Sequence, residues 1–287
     1  MTAMFGAGAD RSATRSSPLA TLTELIRGAR ERMAGRSFSV DQWEYSDPIG
    51  EKTASDRRLA TLGIMGRAIV VQQEMVEVLE GPEAAWSQRE LLLVAGDDRY
   101  RSSVLRDDAA GAAVSVPKET VICDGRKVWT LKPTALDDKD PVHWRRMGRS
   151  ELGLAELLDP SWLLRGYDLT PAGDPAAGHK AEFGGRICFE LTAVPHAKSE
   201  LIPAEDPCDR VDLLVDAETG VLLRLARVID DRDYQIREWA DFAPDAAFTD
   251  DQFEYLPDAS VRIFEDSGSV FSEVPVLAKV ASLFRRR

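Results

Sequence analysis

The apolar positions of this chain fall into two periods. In "SPLATLTELIRGARERMAG" (17–35), Leu19, Leu22, Leu25, Ile26 and Met33 recur at helical spacing behind Ser17 and Pro18. A serine cap followed by proline at the first helical position predicts one amphipathic helix ending near Gly35. Further along, the period shortens. "RAIVVQQEMVEVL", "SQRELLLVAGDDRYRSSVL", "ETVICDGRKVWTL", "RICFELTAV", "VDLLVDAETGVLLRLARVI" and "YQIREWADF" are rich in Val, Ile, Leu and aromatic residues, with short polar or glycine-bearing links. Such runs predict antiparallel strands in a meander. Asp124-Gly125 marks a two-residue hairpin turn between Ile122 and Val128.

A second helical pattern lies in "SELGLAELLDPSWLLRGYDL" (150–169), where Ser150 caps a face of Leu152, Leu154, Leu157 and Leu158. Pro160 either interrupts this helix or starts another turn, and Trp162, Leu163 and Leu164 continue the apolar face. The stretch "TPAGDPAAGHKAEFGG" reads as a mobile loop. Together these patterns predict an α+β fold, mainly antiparallel β, with helices against one long sheet. Three parts follow: residues 1–17 disordered, 18–265 one domain, and 266–287 a linker and amphipathic helix.

The clustered acids of "VDLLVDAETGVLLRLARVIDDRDYQIREWADF" (211–242) raise a choice between a reacting centre and a set of turns. The acids fall between strand-like runs, at 216–220 and 230–233, where Asp side chains bond their own backbone. Turns are therefore expected. In 221–229 one face carries Val221, Leu223, Leu225 and Ile229 with Arg227 as the exception; the other carries Leu222, Arg224, Ala226 and Val228. That pattern suits a sheet face covered by helices or ligand, and a filled core gives the same alternation.

Charge narrows the partners. The formal net charge is −13, and the excess is uneven: residues 1–36 hold six arginines and three acids, and 270–287 four cations and one acid. Each end is thus near +3 and the middle near −19. Nucleic acid is excluded as a general partner, because phosphates require a cationic footprint. Cys123, Cys188 and Cys208 are far apart, without zinc-ligand spacing, and are expected to be reduced and packed. No apolar run has the length of a signal peptide or a membrane span, which leads to the expectation of a cytoplasmic protein.

Catalytic motifs give little. "GAGAD" (6–10) starts like a dinucleotide loop, but Arg11 stands where the last glycine belongs and no strand precedes it. There is no GxSxG, P-loop or HExxH motif. His143, His179 and His196 are expected in loops, and neighbouring acids such as Asp137/Asp138 and Asp250/Asp251 point apart. No catalytic residue, metal or cofactor is expected.

The order "DGRKVWTLKP", "LLDPSWLLRGYDL", "GGRICFELTAVP", "VDLLVDAETGVLLRLARVIDD" and "EWADFAPDAAFTDDQFEYLPDASV" resembles the LolA-type superfamily, which includes LolA, LolB, RseB and related actinobacterial proteins. The similarity runs from about Leu19 to Ile263. It is strongest at the end, where "DAETG" joins a strand pair and "ADF", a short "DDQF" element and Pro257 close the sheet. The resemblance implies an open half-barrel sheet wrapped over helices, its concave face holding acyl chains or another apolar ligand. By that likeness the two helical regions plug the barrel, and Trp129, Trp162, Leu223 and Phe253 are the candidate lining residues. Carriers of this type need an export signal, which this sequence does not show, so lipoprotein traffic itself is not implied.

In "VPVLAKVASLFRRR" (274–287), Val276, Leu277, Val280, Leu283 and Phe284 fall at helical spacing before Arg285, Arg286 and Arg287. Leu277, Val280, Phe284 and the three arginines are candidates for docking on an anionic membrane or a partner groove; packing on the chain's own domain is the alternative. The resulting expectation is a non-enzymatic binding protein for a lipid or other apolar ligand. The alternative is an RseB-like regulatory or scaffolding module that binds a protein partner.

Overall fold

In this computed structural model, residues 18–61, 85–96, 98–105, 117–132, 142–146, 155–174, 178–196, 207–259 and 261–265 are described. The strand-like run at 67–79, the cap Ser150 and the whole of 266–287 lie outside them.

The strands are β1 (Phe38–Ser46), β2 (Trp86–Ala95), β3 (Arg99–Val104), β4 (Glu119–Asp124), β5 (Lys127–Leu131), β6 (Val142–Arg146) and β7 (Tyr167–Pro171). They continue with β8 (Lys180–Phe183), β9 (Arg186–Pro195), β10 (Arg210–Asp216), β11 (Leu222–Ile229), β12 (Arg232–Pro244) and β13 (Ile263–Glu265). All belong to one sheet in the order β13-β6-β5-β4-β3-β2-β1-β12-β11-β10-β9-β7, with β8 also on β9. The pairings are antiparallel except β13 with β6. Strands β13 and β7 stand at opposite ends and do not meet, so the sheet is open. The helices are α1 (Pro18–Arg27), α2 (Ala29–Met33), α3 (Pro48–Thr61), α4 (Ala155–Leu158) and α5 (Leu163–Gly166).

Two meanders, β2–β6 and β9–β12, are joined by β1, which pairs with both β2 and β12. The sequence pattern does not predict β1. Its inward positions run from Phe38 and Val40 to Gln42, Glu44 and Ser46, so hydrophobicity fades halfway along the strand. The stretch expected to be a mobile loop contains β8, which returns to β9 through Gly184-Gly185. A two-residue Gly-Gly loop with positive φ at both positions is a strong hairpin former. The turn expected at Asp124-Gly125 sits one residue later, on Gly125 and Arg126, and the Asp124 carboxylate accepts the Arg126 and Lys127 amides at 2.8 Å each.

The single helix expected over 17–35 is divided at Gly28 into α1 and α2. Leu22, Ile26 and Met33 are buried as the stripe required, while Leu19 is exposed. The helix expected from Ser150 is seen as α4, a 3-10 turn over Pro160–Trp162 capped by Asp159, and α5. Pro160 starts the new turn, since its fixed φ and missing N–H suit a first helical position.

Three β-bulges aim side chains into the core. Each strand carries an extra residue where the register slips: Leu223 on β11 against β10, and on β12 one near Asp241 and one at Tyr234. The slip at 240–243 turns Phe242 to the same side as Trp239, where both pack on Phe38 with ring centroids 5.7–5.8 Å apart. Most buried apolar side chains form one cluster, in which Leu22, Ile26, Leu157 and Leu163 from the helices meet Leu191, Leu213 and Leu225 of the sheet. A smaller cluster of Ile122, Trp129 and Val142 lies under Tyr255 and Val261.

Candidate functional site

Side chains alternate across a strand, so the register assigns each residue to a face. One row of the helix-bearing face runs Leu191, Leu213, Leu225, Arg237, Glu44, Gln88 from β9 to β2. The next runs Leu169, Ala193, Val211, Arg227, Gln235, Ser46, Trp86 from β7 to β2. Both rows begin apolar and become polar at the middle of the sheet. The inner face is therefore amphipathic: a greasy field on β7–β11 meets a polar band carried by β11, β12, β1 and β2.

The band is closely bonded. Trp239 Nε1 donates to Gln42 Oε1 at 2.7 Å, and Gln42 Nε2 donates to Glu44 at 3.0 Å and to Glu90 at 3.4 Å. Ser102 Oγ donates to Glu90, and Ser46 Oγ and Gln235 Nε2 both donate to Glu51 of α3. Arg237 Nε lies 2.6 Å from Glu44. One carboxylate reaches down from α4: Glu156 Oε1 accepts from Arg227 Nη2 at 2.5 Å and Oε2 from Arg237 Nη1 at 3.3 Å. Burial pushes the Glu90 carboxyl upward, Glu44 adds to the push, and the Ser102 hydrogen bond and Arg237 offset part of it.

Of the acids of 211–242, expected in turns, Glu218, Asp230 and Asp231 lie in turns, while Asp212, Asp216, Asp233, Glu238 and Asp241 stand on strands. Asp216 is 1% exposed and accepts from Arg186 Nε and Nη2 at 2.7 and 2.9 Å, from Thr219 N at 2.7 Å and from Thr219 Oγ1 at 2.6 Å. Burial opposes its charge, but these bonds and the Arg186 guanidinium hold the carboxyl below the ordinary Asp range. The turn then seats α1. Arg32 donates from Nε to Thr219 O at 2.9 Å and from Nη2 to Leu25 O, and Gly220, at φ +80°, packs so close that a Cβ there would stand 2.4 Å from Leu25 O. Cys188, beside Asp216, has its thiol pushed up to about 11, first by burial and then by the Asp216 charge. All three cysteines are buried thiols outside any disulfide.

Of the four expected lining residues, the structure places Leu223 in the main cluster and Trp162 against it. Trp129 lies in the smaller cluster, its ring 5.4 Å from Tyr255. Phe253 is buried in the 3-10 turn Asp250–Phe253, edge-on to Phe248 and under Arg99. Leu223 and Trp162 thus share the main cluster, while Trp129 and Phe253 belong to other packing units. The expected docking residues Leu277, Val280, Phe284, Arg285, Arg286 and Arg287 lie outside the described residues. His143 is on strand β6, not in a loop, and stacks on Phe264 with centroids 5.5 Å apart. His179 Nδ1 is 2.7 Å from Ala172 O and His196 Nε2 is 3.0 Å from Asp168. Among the described residues no group of His, Cys, Asp and Glu is placed to hold a metal ion, and no helix is long and apolar enough to cross a membrane.

No family model and no curated protein matches the chain. Solved structures do. MucB from Pseudomonas aeruginosa in complex with MucA shares 16% identity at a TM-score of 0.42, over 82% of this chain and 61% of that one. MucB alone gives 17% and 0.43, over 82% and 63%. A LolA superfamily protein from Nitrosomonas europaea gives 11% and 0.28, over 81% and 97%. The chain thus spans about three fifths of the MucB chains it matches. The likeness is one of architecture, and the architecture expected from the sequence, an open antiparallel sheet bearing helices, is the one observed.

The polar band escapes a reading of local patterns because its members come from seven separate elements, β1, α3, β2, β3, α4, β11 and β12. Arg227 is its one visible trace, a charge interrupting the apolar face of 221–229.

Proposed function

We propose that the protein is a non-catalytic binding protein whose inner sheet face takes a lipid or other apolar chain. One observation carries this reading: the apolar field of β7–β11 is continuous across neighbouring strands, while four of the five helices packed on the inner face, all but α3, are only four to ten residues long. Helices shorter than about 12 residues are marginal by themselves in water, so this cover is held by its contacts alone and is the part most readily exchanged for a ligand. Strands β9, β10 and β11, each tied to at least two neighbours, are not.

Native mass spectrometry of the full chain, before and after organic extraction, tests the proposal. A mass excess that vanishes on extraction is the expected result. A single unliganded mass that also takes up no added long-chain amphiphile overturns it. A second reading, a regulatory module that adds a partner strand at its sheet edge, is favoured by edge strand β13, where Ile263 and Phe264 are 46% and 48% exposed. It requires a stable complex with protein and no extractable ligand.

A further inference from the structure

The boundary between greasy field and polar band has a defined chemistry. Arg227 and Arg237 project from neighbouring strands β11 and β12, next to Val211, Ala193, Leu213 and Leu225 in their rows. Both arginines are mostly buried, at 18% and 31% side-chain exposure. Their shared partner is a single carboxylate, Glu156, with one oxygen for each guanidinium. That carboxylate belongs to α4, a four-residue helix of the cover, not to the sheet. Two guanidiniums converging on one carboxylate beside an apolar surface form the recognition geometry for the head of an acyl chain.

Resting on the inner-face binding proposed above, we infer that the ligand is a long-chain carboxylate whose head group takes the place of the Glu156 carboxylate between Arg227 and Arg237, with its chain along the leucine rows. A change of side-chain rotamer withdraws Glu156 from the pair. The exchange keeps the charge of the site constant, one carboxylate for another. Arg237 keeps Glu44 at 2.6 Å on its Nε throughout, while further along the band Glu51 and Glu90 already supply negative charge and Glu90 itself is pushed toward its neutral form.

Calorimetric titration of the full chain with palmitate, hexadecanol and hexadecylamine, chains of equal length, tests the assignment at neutral pH. Palmitate is expected to bind about tenfold tighter than hexadecanol, the scale of a charge-assisted pair. Glu156→Gln, which keeps both arginines and the side-chain volume, is expected to raise palmitate affinity about tenfold and leave hexadecanol unchanged. Arg237→Gln is expected to abolish the preference. Should that variant fail to fold by circular dichroism, Glu156→Gln decides alone. Equal binding of palmitate and hexadecanol, tighter binding of hexadecylamine, or palmitate affinity unchanged or lowered in Glu156→Gln overturns the carboxylate assignment while leaving inner-face binding intact. Binding of none of the three overturns inner-face binding itself.

Discussion

Replacing Asp216 by alanine is expected to remove about 3–5 kcal/mol of folding stability, the cost of breaking a buried pair and leaving its partner uncompensated. Asp216 is almost wholly buried and receives four hydrogen bonds, two from Arg186 and two from Thr219. Glu218 continues to neutralise part of the Arg186 charge in the variant, at 2.8 Å, which places the effect toward the lower end of that range. Thr219 and Gly220 of the same turn hold α1 through Arg32 and the close approach to Leu25, so the loss spreads to the helix cover. Urea denaturation of the two proteins measures it, and a difference below about 1 kcal/mol defeats the account.

The same residue sets an acid limit. Its folded pKa is lowered, so its contribution is fully present above the unfolded value of about 3.9 and is lost as pH falls through the folded value. The wild type is therefore expected to lose stability steeply below that unfolded value, and Asp216→Asn to show a shallower dependence over the same window. Parallel curves for the two proteins contradict this.

Trp239→Ala is expected to cost a similar amount, about 3–5 kcal/mol, because a large fully buried ring leaves a cavity between Phe38 and Phe242. Trp239→Phe separates two causes. It keeps one aromatic ring in the site and removes the indole donor together with the second ring, orphaning Gln42 Oε1, for an expected cost of about 1–3 kcal/mol. Gln42 then loses its orientation toward Glu44 and Glu90, so the phenylalanine variant is expected to lower thermal stability without loss of secondary structure. Thermal melts followed by near-ultraviolet and far-ultraviolet circular dichroism distinguish this from simple unfolding.

Strand pairs with apolar faces and short turns are legible in the residue pattern: β2–β3, β4–β5 and β10–β11 sit in the runs marked by Val, Ile, Leu and aromatic residues. Two of the strands that are not legible, β1 and β8, have a weak apolar face. β1 turns polar halfway because its inward residues enter the polar band, and β8 is a four-residue edge strand whose residues are only partly buried or exposed. The expected lining residues are large and apolar, a criterion that selects core. The site proposed here is instead marked by a charge among leucines, at Arg227, and by Glu156 on a helix 71 positions away in the chain.

The class of the fold is written in the chain itself, because a two-residue period broken by Asp and Gly turns leaves an antiparallel sheet as the way to bury those faces. So is the placement of Glu218, Asp230 and Asp231 in the links between strands, where polar turn residues break the apolar period. Three features arise only when the whole chain closes on itself: β1 joins two meanders, Leu223 and Tyr234 become bulge residues, and Arg227, Arg237 and Glu156 meet. Those are matters of register and long-range pairing, where one residue of slip moves every side chain to the other face, and no local period along the chain records them.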